Sequence, residues 1–198
     1  MKHLLIILFG IILISCNTDR DSEKSKTNSH QPLEASIALN NKALELGFSE
    51  DVTDSAITLL DKATKLDPEY FLAYTNKLQF LFIKKDYKRL LKTNSIIQKL
   101  APNNPMWIAQ QGIILELQGN KDQAMPLYNT ALIEYKKLLE KEQNKCELRI
   151  DYAVVMVWAE QRNNAMDLIE TAKKQCPQLD IWEVFELSTK SELLNQLK

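Results

Sequence analysis

The sequence predicts an all-α fold, built as a stack of about four helix-turn-helix units followed by a C-terminal helix. Two amphipathic stretches with helical spacing flank Gly119-Asn120 within the segment Pro105–Leu138. Pro68 and Pro102 lie thirty-four residues apart, and each is placed to end a helix at the same point of a repeated unit. The same period divides most of the chain, as in folds whose units pack only against their neighbours.

The first two units begin and end at recognisable helix signals. Pro32 suits the first turn of a helix, and Leu33–Leu46 is amphipathic up to Gly47. Thr53 is expected to cap the second helix. The next helix, about Glu69–Lys84, is rich in aromatic residues, most of which we expect in the core.

The third unit carries the clearest pattern of small residues. Gly112 would leave a flat spot where the partner helix can approach closely, and Gly119 can adopt the positive φ that ends a helix. Ala124 and Ala131 are seven residues apart and share one face of the following helix. Pro126 lies inside that helix, where it removes one hydrogen bond and is expected to introduce a kink.

The fourth unit follows a continuation of this helix to about Asn144. Tyr152–Ala159 is an unbroken apolar run, whose length and β-branching alone would suit a buried strand. The repeated period and the polar segment Glu147–Asp151 favour a helix that is buried nearly all round. After Pro177, residues 180–198 supply apolar side chains for a helix that covers the last layer.

The spacing of these residues resembles that of the tetratricopeptide repeat (TPR) family. The units are about Ile37–Tyr70, Phe71–Asn104, Pro105–Leu138 and Cys146–Leu179. The residues that carry the resemblance are Ala56, Leu60, Ala63 and Pro68, then Tyr74, Leu78, Leu81, Leu90 and Pro102, then Gly112, Leu115, Gly119, Ala124, Tyr128 and Ala131, and then Ala153, Met156, Ala165, Ala172 and Pro177. The resemblance implies a right-handed superhelical stack over residues 32–198 that binds protein or peptide partners.

The resemblance also implies a concave groove, lined by the inner face of the first helix of each unit. The matching positions here are Asn41 and Glu45, then Leu72, Thr75, Gln79, Phe82 and Ile83, then Met106, Ala109, Ile113, Glu116 and Leu117, and then Ile150, Val154, Val157 and Trp158. Most positions beyond the first unit are apolar, so the Lys and Asn clamp of the chaperone-binding TPR branch, which grips a C-terminal carboxylate, is not matched.

A long apolar groove is typical of an interaction site, because so large an apolar surface is rarely left in water. Two alternatives follow. The groove binds a peptide or helix of another protein, which makes the chain an interaction module or adaptor. Otherwise its own C-terminal helix or another copy fills the groove. The chain is then a structural assembly subunit, a homo-oligomer in the second case, that binds its partner on the convex face.

Residues 1–15 are predicted to form a lipoprotein signal peptide. The apolar run Leu4–Ile14 has eleven residues and would span roughly 16 Å as a helix, about half of a bilayer's hydrocarbon core. It therefore fits a signal peptide rather than a lasting transmembrane helix. The run ends in Leu13-Ile14-Ser15-Cys16, which resembles the bacterial lipobox. That resemblance implies that Cys16 becomes the mature N-terminus and carries a diacylglycerol; an ordinary signal peptide with an incidental cysteine is the alternative.

The segment after Cys16 is expected to be a tether between the lipid and the helical domain. Asn17–Gln31 contains no large apolar side chain, so burial cannot offset the entropy of ordering it. As a random coil it would hold the domain about 20 Å from the membrane. Asn17, rather than aspartate, favours the outer membrane of a bacterial envelope. The charged cluster Asp19–Glu23 is either a solvated linker or a surface-export signal.

Composition argues against catalysis and nucleic-acid binding. The net charge is −1, and the four glycines are not clustered into a phosphate-binding loop. The only histidines, His3 and His30, precede the first unit. The four units therefore lack histidine, the commonest general base and metal ligand. Asp and Glu are expected on outer faces or at caps. We therefore expect no catalytic residue, metal or cofactor; a cell-wall hydrolytic enzyme is the remote alternative.

Cys146 and Cys176 remain once Cys16 is assigned to the lipid. In the repeat frame they lie at the same end of one helix pair, roughly 6–10 Å apart. A disulfide requires Cα atoms within about 7 Å, and an exported protein meets an oxidising environment. The alternatives are a disulfide and two free thiols.

Overall fold

The computed structural model describes residues 30–142, 145–175 and 189–197, and all regular secondary structure in these ranges is α-helical. The helices are α1 Glu34–Glu45, α2 Thr53–Leu66, α3 Phe71–Ile83, α4 Tyr87–Leu100, α5 Pro105–Leu117, α6 Lys121–Lys141, α7 Cys146–Trp158, α8 Arg162–Gln175 and α9 Lys190–Leu197. The predicted signal peptide, Cys16, most of the tether, Cys176 and residues 180–188 lie outside the described residues.

The helices form consecutive packed pairs with a regular period. α1 packs against α2, α3 against α4, and α7 against α8, while a glycine–tyrosine contact joins α5 to α6. The second helices begin at Thr53, Tyr87 and Lys121, which are thirty-four residues apart in turn. Phe71 and Pro105, which begin α3 and α5, have the same separation. The predicted all-α stack of TPR-like helix pairs is confirmed for the described residues.

These residues divide into two compact regions, one ending at Trp107 and the other beginning at Ile108, within α5. The first region has a core of small, aliphatic and aromatic side chains, in which Phe80 and Trp107 are the largest fully buried ones. The core of the second region is centred on the buried aromatic side chains of Tyr128, Tyr135 and Trp158. The handedness of the predicted superhelix stays a prediction.

Corresponding turns between paired helices contain a residue with positive φ. Gly119 has φ +86°, as predicted, but Lys85 and Glu160 adopt 54° and 62° at the equivalent points. A residue with a Cβ atom loses about 1 kcal/mol in this conformation relative to glycine. The sequence signal for this turn is therefore clear in one unit and absent from the other two.

Small residues lie where the helices cross closely, as the sequence predicts. A Cβ atom added to Gly112 would be 2.6 Å from Cε1 of Tyr128, well inside van der Waals contact. Ala124 and Ala131 are fully buried on the same face of α6. α6 continues through Pro126, and α7 is the predicted buried helix rather than a strand.

The start of α2 differs from the prediction. Val52, not Thr53, is the N-cap residue, and no side chain caps the helix. The hydroxyl of Thr53 instead donates to the carbonyl oxygen of Ser49 at 2.8 Å. Thr53 thus stabilises the preceding turn, because its side chain points back towards the α1–α2 connection.

A buried carboxylate holds the beginning of the described chain. The Asp67 oxygens accept hydrogen bonds from the backbone N–H of Leu33 at 3.0 Å and of Glu69 at 3.2 Å. His30 Nε2 lies 2.8 Å from Asp67 Oδ1. Burial alone would raise the pKa of Asp67, but these hydrogen bonds and the His30 charge lower it.

Among the described helices, none is both long and apolar enough to cross a membrane.

Candidate functional site

The predicted groove positions differ widely in exposure. Leu72 is 46% exposed. Asn41 and Glu45 are also exposed, whereas Gln79, Phe82, Ile83, Ile113 and Val154 are partly buried. The remaining predicted positions are buried: Thr75, Met106, Ala109, Glu116, Leu117, Ile150, Val157 and Trp158. Much of the predicted lining is therefore inside the packed protein.

In the first region, α3 offers Leu72 as an exposed apolar side chain. The hydroxyl of neighbouring Thr75 is directed back to the Leu72 carbonyl oxygen at 2.9 Å. Asn76, which follows, is buried and donates to Oδ1 of Asn40 on α1 at 2.8 Å. These polar side chains are satisfied within the fold, so Leu72 is the α3 position best placed for contact with a partner.

In the second region, Glu116 forms the centre of a polar site among apolar helices. Its side chain is buried near the end of α5. Tyr128 on α6 donates its phenolic hydroxyl to Glu116 Oε2 at 2.8 Å. Burial, followed by the hydrogen bond and the charge of Glu116, raises the pKa of Tyr128 well above its usual range. Tyr128 is therefore a neutral hydrogen-bond donor to the carboxylate.

Lys190, the first residue of α9, supplies the opposite charge. Its side chain is 12% exposed and its Nζ lies 2.8 Å from Glu116 Oε1. This is ion-pair distance, although the angles fall outside hydrogen-bond geometry. The same Nζ lies 5.4 Å from the centre of the Tyr128 ring, within range of a cation–π interaction.

A second carboxylate completes the surroundings of Lys190. Glu160, in the α7–α8 turn, lies 3.5 Å from Lys190 Nζ and 2.6 Å from Lys121 Nζ. The hydrogen bond from Lys121 and the charge of Lys190 lower the pKa of Glu160. Glu116, Tyr128 and Glu160 together form what we call the cation pocket, because their oxygens and aromatic face all favour a positive charge.

α9 carries its own N-terminal cap. The backbone N–H of Thr189 donates to Glu192 Oε2 at 2.6 Å, and the backbone N–H of Glu192 donates to Thr189 Oγ1 at 3.3 Å. This is a capping box. Leu193 and Leu197 follow on the buried side of the helix. The sequence prediction of a covering helix did not identify Lys190; the Thr189–Glu192 spacing was the signal that could have located the start of α9.

Trp158 is a core residue in the structure. It is 1% exposed, and its ring centre lies 6.2 Å from that of Tyr128. Val154, one turn earlier on α7, remains partly exposed. A charged substitution at Trp158 would therefore disturb folding, which makes this residue unsuitable as a probe of partner binding.

Asp151 contradicts the expectation that acidic residues lie on outer faces or at helix caps. It is buried on α7, and desolvation together with the charge of Glu147 raises its pKa to about 7. Burial and the charge of Asp151 in turn raise the pKa of Tyr135 on α6. Neither residue belongs to a cluster with metal-ligand character: the described part of the chain contains no group of three or more His, Cys, Asp or Glu side chains that could hold a metal.

Cys146, at the start of α7, is disulfide-bonded. Its predicted partner, Cys176, lies outside the described residues, so the Cys146–Cys176 pairing stays a prediction. Peptide mapping without reduction would identify the partner.

No protein-family model matches this sequence, and no curated protein matches it. Among solved structures, YrrB, described as a TPR protein with an unusual peptide-binding site, has a TM-score of 0.46 and 20% identity, over 72% of this chain and 69% of YrrB. A MamA structure has a TM-score of 0.45 and 14% identity, over 89% of this chain and 92% of that chain. A mutant of MamA has a TM-score of 0.43 and 14% identity, over 88% and 91%. At these identities the similarity concerns the fold alone.

Proposed function

We propose that this chain is a protein-interaction module of the bacterial cell envelope, anchored by lipid at Cys16, and that it binds a peptide or helix of another protein. One observation carries the interaction part of the proposal. The second region holds the amphipathic helix α9 through a buried charge, Lys190 with Glu116, and two buried leucines. A surface that accepts one short amphipathic helix has the chemistry needed to accept another.

The anchor is proposed from the sequence. The lipobox-like residues before Cys16 support lipidation, and Asn17 supports attachment to the outer membrane. A diacylated cysteine would provide the two acyl chains that stable membrane attachment requires. The tether would then allow the helical domain to meet partners at a distance from the bilayer.

The same observation favours a second candidate function. Lys190 of α9 pairs with Glu116, a predicted groove position, which is the contact expected if the C-terminal helix fills part of the groove. A structural assembly subunit would use this contact permanently and bind its partner on another face. The two candidates differ in whether substitutions at exposed groove positions affect partner binding.

Leu72→Asp tests the groove because Leu72 is 46% exposed, so that a carboxylate there remains hydrated. Ile133→Asp is the matched control, since Ile133 is an apolar residue 57% exposed on α6 and outside the predicted groove. Both variants would be used as bait with detergent-solubilised envelope, and bound proteins measured by quantitative mass spectrometry. We expect at least a tenfold loss of partner with Leu72→Asp and none with Ile133→Asp. Unchanged binding in both variants would reject the groove and favour the assembly subunit.

A further inference from the structure

The cation pocket is a polar site in the second region, and its present occupant, Lys190, belongs to the chain itself. We propose that the pocket recognises a lysine on an amphipathic helix of the partner protein, and that Lys190 of α9 is an internal stand-in for that lysine. This inference rests on the proposed function and adds the chemistry of the partner and a way in which it gains access.

The pocket selects a cation because a buried carboxylate without a charged partner is energetically unfavourable. Glu116 is buried, and Tyr128 already occupies its Oε2. A neutral or anionic group would leave Oε1 without a charged partner in a site of low dielectric constant, which is strongly unfavourable. Glu160 and the ring face of Tyr128 add two further interactions that favour positive charge.

The geometry favours lysine over arginine. Arginine gains most from two parallel hydrogen bonds to both oxygens of one carboxylate. At Glu116 the Tyr128 hydroxyl already donates to Oε2, which disfavours a second, parallel hydrogen bond to that oxygen. A compact ammonium group needs no paired geometry, and Lys190 Nζ lies at ion-pair distance, 2.8 Å, from Oε1.

α9 also defines the apolar part of the motif. Leu193 and Leu197 follow Lys190 by three and seven residues, and both are buried. These positions share one face of a helix. The partner is therefore expected to carry a lysine followed by large apolar residues three and seven positions later.

Two features make α9 replaceable. It has eight residues and its own capping box, so its N-terminal end is satisfied by Thr189 and Glu192 rather than by the pocket. When Lys190 leaves, Glu160 retains Lys121 at 2.6 Å, but Glu116 loses its nearest ion-pair partner. Departure of α9 therefore requires another cation, such as a lysine of the partner, to take the place of Lys190.

The test uses the full chain and a fluorescent peptide of residues 187–198, which contains α9, measured by fluorescence anisotropy. In the Lys190→Met variant, residue 190 keeps a long side chain but lacks the charge. We therefore expect the peptide to bind this variant at least tenfold more tightly than it binds the unmodified chain. A peptide with methionine in place of its lysine should bind at least tenfold more weakly. Lys137→Met is the matched control, because Lys137 is exposed and pairs with Glu134 outside the pocket.

A second variant covers the case in which Lys190→Met disturbs folding. Glu192→Ala removes the capping box without altering the pocket, and it should also increase peptide binding. Glu116→Gln should abolish the preference for the lysine peptide.

Equal binding of the lysine and methionine peptides, or no binding to either variant, would overturn the inference. Continued loss of envelope partners in Leu72→Asp would then leave the proposed function standing. A dimer of the unmodified chain that disappears in Lys190→Met would identify a second copy as the occupant, and would overturn the assignment to another protein.

Discussion

Gly112→Ala tests the close crossing of α5 and α6, on which the packing of the second region depends. The added Cβ would lie 2.6, 3.0 and 3.1 Å from Cε1, Cδ1 and Cζ of Tyr128. The ring cannot move away freely, because it is fully buried and its hydroxyl is bonded to Glu116. The substitution therefore forces the helices apart or displaces the tyrosine.

The expected magnitude follows from opposing effects. Alanine in place of glycine inside a helix gains about 1 kcal/mol. Overpacking of a closely packed site costs about 1–3 kcal/mol, and loss of a hydrogen bond to a charged group costs up to about 3 kcal/mol. We expect a net loss of about 2 kcal/mol in the free energy of unfolding. In a chain of this length that corresponds to a melting temperature lower by about 4–8 °C.

Urea and thermal unfolding followed by circular dichroism would measure this change, and Tyr128→Ala supplies the decisive background. With the ring removed, Gly112→Ala should be neutral or stabilising, because only the gain in helix propensity remains. Gly119→Ala is the control, since no atom lies within 4 Å of its added Cβ and its φ is +86°. It should cost about 1 kcal/mol in either background. If Gly112→Ala were as stable as the unmodified chain, the close crossing would be refuted.

Three further predictions concern other parts of the chain. The pKa of Asp151 is raised from 3.8 to about 7, so its contribution to stability is present at low pH and is lost as the pH rises through about 7. Compared with Asp151→Asn, the unmodified chain should lose on the order of 4 kcal/mol between pH 4 and pH 8, and parallel unfolding curves across this range would contradict the prediction. Ala131→Leu should destabilise the protein by about 1–3 kcal/mol, because Ala131 is fully buried; Asn129→Leu, at an exposed position, should have little effect in the same denaturation assay. Cys16→Ser should release the protein from the membrane fraction into the soluble fraction, and unchanged partitioning into detergent would reject lipidation.

The repeated helix pairs were predictable because their signals are local. Helical spacing, the proline period and Gly119 act within a few turns of the chain, and the observed starts of α3 and α5 coincide with the predicted unit boundaries at Phe71 and Pro105. The local signals were incomplete at turns. Lys85 and Glu160 adopt positive φ without a glycine, because the packing of the paired helices compensates for the local strain.

The sequence by itself determined that the units are pairs of helices. It also determined the repeat period and the small residues at the helix crossings. Only the tertiary structure decided which candidate positions are accessible. Trp158 and Asp151 are buried, Leu72 is exposed, and Lys190 enters a site built around Glu116. The physical reason is that burial and ion pairing depend on which helix faces meet, and residues distant in sequence meet only after the helices have packed.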